Sequence, residues 1–200
     1  MDTSGRGYWD GIAAEYQRET HITCSDFHFG PLLPGDRELG MVPPLAPGSR
    51  CLELGCGAGQ NSIYLARLGA TCVAADLSGE QLQAGRQLAE RHGVSLSFIQ
   101  MDLDTPALKC APVFDFVHSV YALPFLRDPA ACVTRMAAWL RPGGCLLLST
   151  AHPLASGEWV DLEGEDGVFL TDYFAPPPDC RSETEAWSTC RAVPLSTVFA

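Results

Sequence analysis

The sequence predicts an α/β fold built on a doubly wound, mostly parallel sheet, and three observations carry that prediction. Apolar strand-like runs alternate with helix-like runs from Arg50 to Thr150. The first apolar run feeds directly into a glycine-rich turn, Gly55-Cys-Gly-Ala-Gly59. The second and third runs each end on a carboxylate, Asp76 and Asp102. Such alternation implies parallel strands joined by right-handed helical crossovers. Two hundred residues with 46% hydrophobic content suit one domain with a full core.

Taken in order, residues 8–16 read as a short amphipathic helix, with Tyr8, Ile12 and Tyr16 at helical spacing on one face. Residues 20–47 are rich in proline and glycine and contain His21, Phe27, His28 and Phe29 without periodicity. They predict a loop or cap with a short helix over 36–42, placed to enclose a substrate. From Arg50 come a strand, a helix over 61–68, a strand over 71–75 and a helix over 79–92. Ser78 is the expected N-cap of that last helix, and Gln81 completes a capping box. A strand over 96–101 and another over 114–120 follow. Asp128-Pro129 then caps a helix running to about Leu140, stopped by Pro142-Gly143-Gly144 ahead of a fifth strand.

Beyond Thr150 the pattern breaks. Residues 159–162 and 168–174 are expected to pair as a hairpin across 164–167, and Pro176-Pro-Pro178 forces an extended linker. The expected organisation is a helix and cap over 1–48, a ligand-binding core over 49–152, and a substrate-side insertion with a truncated end of the same domain over 153–200. That turn-rich end hardly supplies further sheet strands. An incomplete C-terminal part of the sheet is therefore expected, with an edge strand exposed or covered by a partner, a second copy of the chain included.

Composition narrows the function. A formal charge of −11 without any lysine- or arginine-rich block argues against nucleic acid as substrate. Nine cysteines without a Cys-x-x-Cys pair read as small buried hydrophobes, such as Cys72 and Cys145, and no metal site is expected. The start of the chain lacks a signal-peptide core and no stretch is long enough to span a bilayer, so the expected location is the cytoplasm, away from membranes.

The glycine turn lets backbone approach a nucleotide-like ligand. Glu53, two residues before Gly55, would oppose a pyrophosphate at close range, whereas a cationic cofactor meets no such repulsion. Asp76, about 20 residues beyond the first glycine, stands where a carboxylate accepts ribose hydroxyl protons. Carboxyl ends of parallel strands line one crevice, so Glu53, Asp76 and Asp102 are expected to converge on a single anionic pocket.

At these residues the chain resembles the class I S-adenosylmethionine-dependent methyltransferases, of Rossmann-like fold. The likeness spans roughly residues 8–152 and includes Leu140-Arg-Pro-Gly-Gly144, similar to that family's usual approach to strand five. It implies that Glu53, Gly55, Gly57 and Gly59 hold the methionine end of S-adenosylmethionine, that Asp76 grips the ribose, and that Asp102 meets the adenine amino group. Around them, Cys56, Asn61, Leu77, Gln81, Met101, Leu103, Ser119, Val120 and Tyr121 complete the expected cofactor set. The leading helix is implied to fold over the cofactor and to bring Tyr16 near the methionine end. The expected product is S-adenosylhomocysteine.

Methyl transfer from a sulfonium is an in-line displacement, so alignment and water exclusion are the main tasks and a base is optional. His152, just past strand five, is the candidate catalytic residue, able to take a proton from an attacking hydroxyl. His118 lies inside strand four and reads as a satisfied core histidine. By position, His28, Tyr121, Trp159 and Tyr173 are candidate substrate residues. Members of the family that act on base nitrogens or glutamine amides resemble one another in an Asn/Asp-Pro-Pro-Tyr/Phe turn. Here that place reads Ser119-Val-Tyr-Ala-Leu-Pro124, which disfavours a planar amide and leaves a small-molecule acceptor. Two other readings compete. An NAD-dependent oxidoreductase is weakened by Gln60, where a small residue is wanted, and by Glu53. A non-catalytic S-adenosylmethionine-binding module is favoured only by the abrupt ending.

Overall fold

The computed structural model describes residues 5–31, 33–106 and 108–150, and the backbone of the short strands at 158–162, 165–169, 179–180 and 189–190. Helix α1 (Gly5–Glu19) leads, followed by a cap segment carrying the single-turn helix α2 (Asp36–Leu39). The alternating core then runs β1 (Arg50–Leu54), α3 (Gln60–Arg67), β2 (Thr71–Asp76), α4 (Gly79–Arg91), β3 (Ser97–Gln100), β4 (Phe114–Val120), α5 (Pro129–Trp139) and β5 (Leu140–Ser149). These five strands form one sheet in the order β3-β2-β1-β4-β5, and every pairing is parallel. Strand order reverses between β1 and β4, the switch point above which ligands bind in open α/β sheets.

Side-chain alternation divides the core. Leu52, Leu54 and Val117 point to one face, where Met136 and Trp139 of α5 bury them. Cys51 and Phe116 point to the other, against Leu65 of α3 and against Phe27 and Phe29 of the cap. The cap therefore does the work of a helix on the β1–β4 part of the sheet. Seven cysteines among the described residues are free thiols; Cys24, Cys51, Cys56, Cys72 and Cys132 are buried, and burial pushes the Cys24 and Cys132 thiols up to about 11. Among the described residues no helix is long and apolar enough to cross a membrane.

Several expected boundaries move, each for a local reason. Helix α1 extends past the expected 8–16 at both ends. Helix α2 stops at Leu39 instead of reaching Val42, because Gly40 turns left-handed (φ 61°) and Asp36 Oδ1 accepts the N–H groups of Met41 and Val42. Helix α5 ends at Trp139, ahead of Pro142-Gly143-Gly144. Proline bars Arg141 from helical geometry, so the chain is already extended at Leu140 and the glycines form an irregularity within β5. In the C-terminal hairpin, β6 (Glu158–Leu162) pairs with β7 (Glu165–Phe169), and Leu162 faces Glu165. Residues 165–167 are thus strand rather than turn. A second antiparallel pair, β8 (Asp179–Cys180) with β9 (Thr189–Cys190), stands beyond the expected proline linker and has no clear periodic signal in the sequence.

Candidate active site

At the carboxyl end of β1 the chain turns through Gly55, Gly57 and Gly59 with φ of 67°, 54° and 70°, and α3 begins at Gln60. These are left-handed conformations that L side chains resist. Gly55 is also pressed from the outside, since a Cβ there would lie 2.2 Å from Ala122 Cβ in the turn after β4. At Gly57 a Cβ would meet only Gln81 Oε1, at 3.9 Å, so the turn is open on that side. Cys56 is buried within it.

Asp76 closes the turn from β2. Its Oδ2 accepts the Gly57 N–H at 2.8 Å and its Oδ1 the Ser78 N–H at 2.9 Å. Burial pushes its pKa up, against these donors. Glu53 is buried and turns to the start of α3. Its Oε2 accepts both the Ser62 N–H (3.0 Å) and the Ser62 hydroxyl (2.6 Å). Burial raises the Glu53 carboxyl to about 7, opposed by Ser62 and assisted by the charge of Asp76. Asp102 behaves differently. It is exposed, and accepts from Asp104 N–H (2.9 Å) and Thr105 Oγ1 (3.1 Å) in its own turn. Glu53 and Asp76 lie within electrostatic range of each other, whereas Asp102 stands in the exposed turn after β3, held by donors of its own turn.

Helix α1 is clipped across the starts of α3 and α4. Asp10 Oδ1 accepts the Ser78 hydroxyl (2.6 Å) and the Glu80 N–H (3.3 Å). Gln17 donates to Gln81 Oε1 (2.7 Å) and accepts from Gln60 Nε2 (2.8 Å). Ser78 caps α4 as expected by accepting the Gln81 N–H. The side chain of Gln81 reaches to α1 instead of back to Ser78, so the second half of the capping box is not made. Asp10 and Gln17 escaped the reading of the sequence; their signal is a seven-residue spacing, which puts both on one helix face. Tyr16 is half-buried and meets Trp9 edge-on, with centroids 6.1 Å apart.

The other side of the crevice is built from β4 and the cap. Ser119 Oγ donates to Leu54 O (2.9 Å), tying the ends of β1 and β4 together. Val120 packs partly buried against the Phe27 and Phe29 cluster. Tyr121 is left-handed (φ 60°), donates its N–H to Ser149 O (2.8 Å) and lays its ring against Gly30, where a Cβ would come within 2.2 Å of it. Backbone strain of this kind costs about 1–3 kcal/mol and persists only where the surrounding structure holds it. Asn61 is wholly buried and grips the backbone of His28, accepting its N–H (2.8 Å) and donating to its carbonyl (3.0 Å). Burial holds the His28 imidazole down at about 4. Met101 donates its N–H to Asp76 O (2.8 Å), Leu77 O accepts from Gln100 Nε2 (3.0 Å), and Leu103 sits in the core under α5. His152 and Tyr173 lie outside the described residues. Trp159 falls in β6, where the backbone alone is described.

His118 corrects another expectation. It is fully buried, level with Glu53 in the β1–β4 register, and neither ring nitrogen has a hydrogen-bond partner. Its ring stacks on Phe116 (4.9 Å between centroids) and meets Phe27 edge-on (5.1 Å), an apolar sandwich that drives its pKa down to about 3. An unpartnered buried nitrogen costs about 1–3 kcal/mol. His118→Phe is therefore expected to stabilise the chain by about that much, measured by urea unfolding. The gain should widen as pH falls below the ordinary imidazole range, because only the unfolded parent takes up the proton there. A destabilised variant at neutral pH would show that the nitrogens are satisfied.

This geometry can be set beside known proteins. The family described as a methyltransferase domain matches residues 52–148, from β1 to β5. A ubiquinone biosynthesis O-methyltransferase from Xanthomonas axonopodis pv. citri is 37% identical over 105 residues, covering 52% of this chain and 44% of that protein. The chain thus spans less than half the length of that curated relative. Among solved structures, an S-adenosylmethionine-dependent methyltransferase from Mesorhizobium loti superposes with a TM-score of 0.69 at 26% identity, over 80% of this chain and 74% of that one. The fold is also that of phospholethanolamine N-methyltransferase 2 from Haemonchus contortus, at a TM-score of 0.53 and 22% identity over 62% of this chain and 29% of that one. None of this supports the oxidoreductase reading. With a matched methyltransferase domain running from β1 to β5 and a glycine turn set against an acid at the end of β2, the chain is similar in sequence and fold to the class I S-adenosylmethionine-dependent methyltransferases.

Proposed function

We propose that this chain transfers a methyl group from S-adenosylmethionine to the oxygen of a small-molecule acceptor. The observation that carries the reading is the left-handed glycine turn facing Asp76, open to a ligand at Gly57 and bounded by the Glu53–Asp76 pair. The residues fit the cofactor: Asp76 has the position of a ribose-binding acid, and the Gly55–Gly59 backbone offers an approach without side chains. S-adenosylmethionine, when bound, supplies an electrophilic methyl group on a positively charged sulfur. Glu53 and Asp76 favour that charge over a phosphate. Tyr16, from α1, and Tyr121 are the proposed walls at the methionine end, with Asp102, Met101 and Leu103 toward the adenine.

An oxygen nucleophile is favoured by the relatives named for O-methylation in ubiquinone biosynthesis. The bound cofactor would supply its methyl group to the acceptor oxygen in exchange for the bond to sulfur, and the proton released from the hydroxyl would pass to a base. His28 is a poor candidate for taking that proton, since its buried imidazole binds protons only near pH 4; a hydrogen bond to an uncharged acceptor suits it better. His152 remains the proposed base, with Trp159 and Tyr173 as proposed acceptor contacts. Incubation with S-adenosylmethionine and a series of hydroxylated aromatic compounds is expected to release S-adenosylhomocysteine. Binding of S-adenosylhomocysteine without release across the series would favour a binding module instead. Asp76→Ala is expected to weaken S-adenosylhomocysteine binding by about 1–3 kcal/mol, roughly 5- to 150-fold, through lost charge-assisted hydrogen bonds. Unchanged calorimetric affinity would remove Asp76 from the site.

A further inference from the structure

On the outer side of α3, away from the glycine turn, Ser25, Arg37, Tyr64, Arg67 and Leu68 line a cavity of about 150 Å³. Its two arginines come from different elements, Arg37 from α2 and Arg67 from the last turn of α3. Adjacent carbonyls of the cap hold them there: Arg67 Nη1 donates to Cys24 O and Arg37 Nη2 to Ser25 O, each at 2.8 Å. Neither guanidinium forms an ion pair among the described residues, where the ion pairs are those of Arg18 and Arg141.

The acids nearby are committed elsewhere. Asp26 accepts the N–H groups of Phe27 (2.9 Å) and Arg37 (3.2 Å). Asp36 accepts those of Met41 and Val42. Two like charges are thus brought to one hollow, where the charges of Asp26 and Asp36 also act on Tyr64, and most of the ten guanidinium N–H donors stay available because those carboxylates bind backbone instead. The hollow has room for roughly five water molecules at about 30 Å³ each, which suits a phosphate-sized group. Forked guanidinium donors match the oxygens of such a group in pairs.

We propose that Arg37 and Arg67 form a binding site for a small, doubly charged oxyanion of the phosphate or sulfate type, separate from the methyl-donor and acceptor sites. A bound oxyanion bridges α2 to α3 and locks the segment from Cys24 to Arg37, which carries His28 in its middle. The site therefore couples anion concentration to the rigidity of the cap.

Calorimetric titration with inorganic phosphate, against sodium chloride at matched ionic strength, tests this. The parent chain is expected to bind phosphate and not to respond to chloride. Glutamine at both positions, Arg37→Gln with Arg67→Gln, keeps a donor for each carbonyl while removing the charge, and is expected to weaken phosphate binding at least tenfold. Arg67→Lys, which keeps the charge but loses the fork, should fall between. S-adenosylhomocysteine binding, expected to be unchanged in both variants, reports an intact fold. No phosphate binding by the parent, or equal binding by parent and double variant, overturns the proposal.

Discussion

Gly55→Ala is expected to lower stability by about 2–5 kcal/mol, combining the left-handed penalty of about 1–2 kcal/mol with an overpacking cost of about 1–3 kcal/mol. The overpacking follows from position: the added methyl group would sit 2.2 Å from Ala122 Cβ, and both atoms belong to turns pinned by strands at the switch point. Relief requires the ends of β1 and β4 to part, which breaks the Ser119 bond to Leu54 O and displaces the turn. S-adenosylhomocysteine affinity should fall at least tenfold in whatever fraction stays folded. Gly57→Ala is the control. It has nearly the same left-handed φ but no close neighbour, so only the conformational cost of about 1–2 kcal/mol applies. Urea unfolding of the two variants should separate them clearly, and equal losses would mean that the contact with Ala122 is not made.

Glu53→Gln is expected to stabilise the protein at about pH 8 by about 2–3 kcal/mol while leaving it nearly unchanged at about pH 5. The sign follows from the proton. Burial raises the folded-state Glu53 to about 7, whereas the unfolded chain releases its proton near the ordinary value of 4.5. Between those values the folded form holds more protons, so the parent loses stability as pH rises through the window and the loss is complete above it. Glutamine keeps an oxygen for the Ser62 N–H and hydroxyl and carries no charge to desolvate. Unfolding measured at both pH values tests this, and a variant less stable than the parent at about pH 8 would show that the ionised carboxylate is held favourably by Ser62. Under the proposed function, a buried anion that is costly alone would become favourable beside a sulfonium.

Much of this was legible in the chain. Strand β4 occupies the predicted residues, the helix after β2 starts at its predicted cap, and the glycine turn stands where the spacing of Gly55, Gly57 and Gly59 put it. These features are local: hydrophobic period, cap chemistry and left-handed glycines are written within a few residues of one another.

Side-chain partners were another matter. Glu53, Asp76 and Asp102 look alike in sequence, each an acid next to an apolar strand. Ser62 turned the first inward, Gly57 engaged the second, and Thr105 with Asp104 kept the third at the surface. Asn61 and Gln81, expected beside the cofactor, spend their amides on His28 and Gln17, more than thirty and sixty residues away. His118 met two phenylalanine rings where a hydrogen-bond partner was expected. Composition and local pattern by themselves determined the architecture and the place of the ligand crevice, because backbone conformation answers to near neighbours. Which carboxyl keeps its proton, which amide holds the cap and which imidazole goes without a partner were decided only when the chain closed, because desolvation and hydrogen bonding depend on whatever the fold brings within about 3 Å.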